Sequence, residues 1–91
     1  MNFNYSVSMA TYNGSRYIRE QLDSILNQTI KASEIIIVDD CSTDNTIDII
    51  KEYISMGYPI KLISNSNNMG YGLTFMKSIQ ICQSNYIFLS D

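Results

Sequence analysis

The run Glu34-Ile35-Ile36-Ile37-Val38-Asp39-Asp40 constrains the fold more than any other stretch. Its apolar residues follow one another without alternation. A strand with one wet face alternates, so this strand is covered on both faces. A parallel sheet with helices above and below offers such a place. The two aspartates that follow are carried to the carboxyl edge of that sheet.

The rest of the chain supplies the partners. Tyr5 to Thr11 alternates large and small residues and reads as a strand. Tyr12-Asn13-Gly14-Ser15 breaks it with turn chemistry. A helix is predicted from Arg16 to Gln28, with Ile18, Leu22, Ile25 and Leu26 as its apolar stripe. After the central strand, Ser42, Thr43 and Asp44 offer N-caps for a second helix, about Asn45 to Met56. Ile47, Ile50 and Ile54 form its predicted stripe, and Gly57 is placed to end it. Pro59 opens a strand from Ile60 to Ser64. The charge of Lys61 in its middle marks an edge strand. A polar loop, Asn65 to Gly70, leads to a third helix from Tyr71 to Cys82. Leu73, Met76 and Ile79 are predicted to face the core there. Tyr86 to Leu89 is the fourth strand, and the chain ends in Ser90-Asp91.

The order β-α-β-α-β-α-β, with connections of this length, implies parallel strands and right-handed crossovers. The expected fold class is α/β: a Rossmann-like, doubly wound sheet in strand order 3-2-1-4, with helices on both faces. A chain of 91 residues makes one domain at most. At this size folding buries only ~60–65% of the unfolded surface, so the core is modest. With 45% hydrophobic and 16% charged residues, the chain lies outside the disordered class.

Several functions are disfavoured. The net charge is −3, and the six basic residues form no cluster, so nucleic acid is not an expected partner. The absence of histidine excludes the usual zinc sites and Ser–His or Cys–His catalytic pairs. Cys41 and Cys82 lack CxxC spacing and read as reduced thiols. No run reaches the ~20 apolar residues of a membrane span. A cytoplasmic location is expected, with peripheral attachment at the inner face of the membrane left open.

In a doubly wound sheet the ligand lies beyond the carboxyl ends of the strands, where the winding reverses. Thr11, Tyr12 and Asn13 follow strand one there. Asp39 and Asp40 follow strand two, Asn68-Met69-Gly70 follows strand three, and Asp91 follows strand four. The GxGxxG and P-loop fingerprints are absent. An acidic crevice repels a bare pyrophosphate and accepts one that arrives with a divalent cation. Tyr12 can lie flat against a base. Carboxylates can accept hydrogen bonds from base N–H groups or ribose hydroxyls. These are the needs of a nucleotide-diphosphate ligand with Mg²⁺ or Mn²⁺.

The segments ATYNGSRYIREQLDSILNQT, EIIIVDDCSTDNT, NNMGYG and YIFLSD, in this order, resemble the N-terminal half of family 2 glycosyltransferases of GT-A fold. The resemblance covers essentially the whole chain. It implies that Tyr12 and Asp40 hold the base, with help from Thr11. It also implies that Asp91 opens a D-x-D motif meeting the ribose and the metal. The acceptor half and the catalytic base would lie in further sequence. The chain is then the donor-nucleotide portion of an inverting, metal-dependent glycosyltransferase, silent in catalysis alone. Its donor would be a nucleotide-diphosphate sugar such as a UDP- or dTDP-sugar, and its acceptor a glycan or a lipid-linked glycan. The ending YIFLSD and the NMGY…F…K pattern look closest to rhamnosyl- and galactosyl-type members that build bacterial surface polysaccharide. Fold and family do not determine the sugar.

Each candidate also has a plainer reading. Asp40 could cap a helix, but three other caps follow it, so base contact is preferred. Asp39 reads as a loop brace, and Asn13 beside Gly14 as a turn former. Asp44 is expected to brace the loop that carries Asp40. Asn68 and Gly70 are expected to shape a loop beside the diphosphate, the glycine allowing positive φ or close approach. Lys77 is a candidate to face the donor, although a solvated lysine is the preferred reading. Cys41 is taken as incidental. A non-catalytic nucleotide-binding module is the alternative function. A phospho-receiver domain would need its acidic pair after strand one, and here the pair follows strand two. Finally, the fourth strand should leave an apolar outer edge that drives self-association.

Overall fold

The computed structural model describes residues 4–90. Its elements are β1 (Tyr5–Thr11), α1 (Ile18–Leu26), β2 (Glu34–Asp39), α2 (Thr46–Ser55), β3 (Ile60–Ser64), α3 (Tyr71–Ile81) and β4 (Tyr86–Ser90). The four strands form one sheet in the order β3-β2-β1-β4, as expected. Every adjacent pair is parallel: Val7 lies beside both Ile35 and Phe88, and Ile37 beside Leu62. Asp91, expected at the ribose and the metal, lies outside the described residues.

Period-two alternation sorts the strand residues. Tyr5, Val7 and Met9 of β1 join Ile35 and Ile37 of β2 in one core, against Ile18 and Leu22 of α1 and Ile49, Ile50 and Tyr53 of α2. Ile25 and Leu26 pack against its margin, so the α1 stripe stands as expected. The Tyr53 hydroxyl donates to Asp23 Oδ1 at 2.7 Å, and Arg19 pairs with Glu52 at 2.8 Å, which ties α1 to α2. α3 packs on β1 and β2. It meets them from the other face, because the winding reverses between β3 and β4.

Two predicted stripes are corrected. In α2 the buried residues are Thr46, Ile49, Ile50 and Tyr53, while Ile54 is exposed and Ile47 half-buried. The long Tyr53 ring reaches the core and displaces the stripe by one residue. In α3 the buried residues are Thr74, Phe75 and Ser78; Leu73 and Met76 face solvent, and Ile79 is half-buried. The cause lies in β1. Its residues on this side include Ser8, whose hydroxyl is hydrogen-bonded to that of Ser78. Against this strand of small polar residues the helix sets Thr74 and Ser78, with Phe75 buried beside them. The apolar stripe of α3 therefore points away from the sheet.

β3, with Lys61 exposed, is an edge strand as expected, and β4 forms the opposite edge. Phe88 and Leu89 of β4 are 55% and 63% exposed. An apolar sheet edge of this kind is a template for pairing. We therefore expect the 91-residue chain to self-associate. Sedimentation velocity at increasing concentration checks this, and a single monomeric species throughout would contradict it. No helix among the described residues is long and apolar enough to cross a membrane.

Candidate functional site

The loops after β1 and β2 are bound to each other. Asn13 has φ +48°, a left-handed conformation that asparagine tolerates. Its N–H donates to Ser42 Oγ at 2.8 Å, and its Oδ1 accepts the Thr43 N–H at 2.8 Å. Gly14 N–H donates to Thr46 Oγ1 at 2.8 Å, and Ser15 N–H to Asp44 Oδ2 at 3.1 Å. Asp44 Oδ1 also accepts the Thr46 N–H and hydroxyl at 2.9 and 2.5 Å. Asn13 is thus a turn former and Asp44 a brace. The residue at the N-cap position of α2 is Asn45, without a side-chain cap bond; Asp44 serves the first turn from one residue upstream.

Partial burial would raise the pKa of Asp44, but the hydrogen bonds from Thr46 and Ser15 overcome it and bring the value down from 3.8 to about 2. A carboxyl that is more acidic in the fold than in the unfolded chain stabilises the fold above its unfolded pKa. That contribution is complete above pH 3.8 and fades as the pH falls toward 2. An Asp44→Asn variant should lose less stability than the parent across this window. Parallel melting curves between pH 5 and pH 2 provide the measurement; identical slopes would contradict it.

Asp39 ends β2 and is fully buried. Its carboxylate accepts the Thr11 hydroxyl at 2.7 Å, the Ser42 N–H at 2.8 Å and the Ser42 hydroxyl at 2.6 Å. It joins the end of β1 to the start of the next loop. The Thr11 hydroxyl therefore has a structural partner, and Thr11 also lines a cleft at the carboxyl edge. Cys41, just past Asp40, has φ +63°; Asp39 and Asp40 reach different partners because successive side chains at a strand end point to opposite faces.

Asp40 is drawn to the third loop. Oδ1 accepts the Asn65 side-chain N–H at 2.9 Å and the Met69 N–H at 2.7 Å, and Oδ2 accepts the Gly70 N–H at 3.0 Å. Asn65 first and Met69 next, with Gly70 and Thr74, hold the carboxyl below the usual aspartate range against the opposing effect of burial. Gly70 has φ +93°, and a Cβ there would meet nothing within 4 Å, so its role is positive φ and not close approach. Asn65 was missed in the sequence reading, and so was Thr74. The available signal was position: Asn65 is the first residue past β3, as Asp40 is past β2.

These elements enclose an open cleft of about 780 Å³ at the carboxyl edge, lined among others by Thr11, Tyr12, Gly14, Asp40, Tyr71 and Thr74. It lies where the sheet order reverses, and its volume is in the usual range for small-molecule sites. Tyr12 stands at the rim, 52% exposed, with its ring available. Among the described residues no lysine or arginine lines the cleft. Of the expected site residues, Thr11, Tyr12 and Asp40 come together in it. Gly70 borders it through its bond to Asp40. Asn68 is exposed on the loop and outside the lining. Lys77 is half-buried, donates to Asn65 Oδ1 at 3.0 Å, and is likewise outside the lining.

The described residues do not form a metal site by themselves. No group of three or more His, Cys, Asp or Glu that could hold an ion occurs among them. Asp39, Asp40 and Asp44 have their oxygens engaged internally.

A parallel sheet in this order, with acidic and aromatic residues at its carboxyl edge, is the architecture of the N-terminal part of a GT-A fold. Residues 6–91 match the family described as glycosyl transferase family 2, and the chain belongs to that family. It is 40% identical over 89 residues to the dTDP-rhamnosyl transferase RfbG of Shigella flexneri, covering 91% of this chain and 30% of RfbG. The crystal structure of S. aureus TarS residues 1–349 superposes with a TM-score of 0.88 at 29% identity, covering 98% of this chain and 27% of that one. TarS 1–349 has also been solved with UDP and with UDP-GlcNAc. A mannosyltransferase of Pyrobaculum calidifontis, solved with GDP-Man and Mn²⁺, shares the fold with a TM-score of 0.79 at 23% identity. The chain therefore spans about a third or less of the proteins it matches here.

Proposed function

We propose that this chain recognises the nucleotide of a nucleotide-diphosphate sugar, as the donor portion of a longer glycosyltransferase. One observation carries the reading: Tyr12 and Asp40 line a single cleft at the point where the sheet order reverses. The Tyr12 ring offers a stacking face of the kind that bases occupy. Asp40 offers an acceptor that stays ionised, since its hydrogen bonds hold its pKa down. A base edge bearing an N–H meets both needs. TarS with UDP and with UDP-GlcNAc supports the ligand class.

For the longer protein we propose sugar transfer to a glycan or lipid-linked acceptor with inversion, a hexosyl group being carried, in the making of bacterial surface polysaccharide. RfbG, named a dTDP-rhamnosyl transferase, supports this direction. The divalent cation is assigned to Asp91 on the resemblance of the ending YIFLSD to the start of a D-x-D motif. The 91 residues alone are expected to be silent in transfer. We place the protein in the cytoplasm, where nucleotide sugars are found.

The test is nucleotide titration followed by amide NMR, in Mg²⁺. UDP or dTDP should shift the amides of Tyr12, Asp40 and Gly70 ahead of those at the opposite sheet edge, such as Glu34. No shift at millimolar nucleotide would end the base-site assignment.

A further inference from the structure

We propose that Asn65 is a positioning residue for base selection: it occupies Oδ1 of Asp40, so that a base N–H can be received only at Oδ2. The inference rests on the donor-nucleotide reading of the cleft. A carboxylate oxygen has two lone-pair directions. On Oδ1 both are taken, by the Asn65 side-chain N–H at 2.9 Å and the Met69 N–H at 2.7 Å. Oδ2 takes one backbone N–H, from Gly70 at 3.0 Å, and the Thr74 hydroxyl lies near the carboxylate as a weaker influence, which leaves Oδ2 the less occupied oxygen. The carboxylate is thus locked in rotation, with one of its oxygens already filled.

Asn65 is itself immobilised. It is buried, and its N–H is held by the carbonyl oxygen of Asp39 at 2.8 Å. Its side-chain amide nitrogen also donates to Thr74 Oγ1 at 3.1 Å, and its Oδ1 accepts from the Lys77 ammonium at 3.0 Å. The lysine and the Asp40 carboxylate together determine the orientation of the amide. An ammonium can only donate, so the oxygen of Asn65 must face Lys77 and the nitrogen must face Asp40. Lys77 therefore acts on the cleft at second hand, from outside its lining.

This arrangement favours one kind of base. Uracil, thymine and guanine carry a ring N–H on the pairing edge, and cytosine carries a bare ring nitrogen there. A locked acceptor meets the first group and repels the lone pair of the second. Selectivity of this origin should collapse when the lock is removed, because a freed carboxylate can turn or take up a proton.

Binding of UDP and CDP to the chain and to Asn65→Leu and Asn65→Asp tests the proposal, between pH 5 and pH 8. The parent should prefer UDP at all pH values. Asn65→Leu should lose UDP affinity and narrow the UDP-to-CDP ratio by roughly tenfold, the size of one charge-assisted hydrogen bond. In Asn65→Asp, Lys77 keeps the new carboxylate ionised, and Asp40 is driven to hold a proton at the lower pH values. UDP binding should then weaken as the pH falls. Amide spectra establish that each variant is folded. If Asn65→Leu does not fold, the pH profile of Asn65→Asp decides. Equal loss of both nucleotides with no pH dependence would reduce Asn65 to a structural residue and overturn the proposal. Nucleotide binding by the parent with an unchanged ratio in the variants overturns it as well. Absence of binding by the parent rejects the donor-site reading beneath it.

Discussion

Asp40→Ala is expected to abolish nucleotide binding and to loosen the Asn65–Gly70 loop together. Three donors converge on this carboxylate: the Asn65 amide, Met69 N–H and Gly70 N–H. Each loses its acceptor in the variant. A buried donor left without a partner costs about 1–3 kcal/mol. Water can reach the loop backbone in part, so the summed loss should be roughly 2–4 kcal/mol. Asp40→Asn keeps one acceptor oxygen and turns an NH₂ toward at least one existing donor. It should fold better than the alanine variant and still bind UDP poorly. Denaturant unfolding and UDP titration measure the two effects separately. Parent-like UDP affinity in Asp40→Ala would remove Asp40 from the binding site.

Asp39→Ala should act on stability alone, and severely. Asp39 is adjacent in sequence and equally charged, but it is fully buried and faces the Thr11 hydroxyl and both donors of Ser42. Its loss strands three polar hydrogens next to the core. A penalty of roughly 3 kcal/mol follows, because these are hydrogen bonds to a carboxylate and the one from Thr11 is buried from water. A chain of this length has only about 5–14 kcal/mol to lose. Thermal melting should show a drop well beyond that of a surface substitution, and the folded fraction should keep its UDP affinity. A small drop in melting temperature joined to a large loss of affinity would show that the two aspartates have been assigned in reverse.

These neighbours show where local sequence information stops. Both carboxylates were legible as edge residues, because a buried strand that ends in charge must bring it to the sheet's rim. Asp39 as a brace and Asn13 as a turn former could also be read from residue type and position. Thr11 could be placed at the rim, but not its hydroxyl on Asp39. Lys77 was weighed between a solvated cation and a donor contact. The structure gives it a partner, Asn65, that neither reading contained.

Local patterns along the chain specify the order of elements, the parallel sheet and the edge at which the cleft lies. Periodicity and turn chemistry are local, and they act within a few residues of one another. Two matters were left to the tertiary structure. One is the buried side of α3, where Leu73 and Met76 gave way to Thr74 and Ser78. A helix buries what fits the surface it meets, and here that surface carries Ser8 of β1. The other is the hydrogen-bonding of Asp40, whose partner Asn65 lies 25 residues away in sequence. Such a contact exists only once β2 and β3 are paired and their ends brought level, so no local pattern in the chain encodes it.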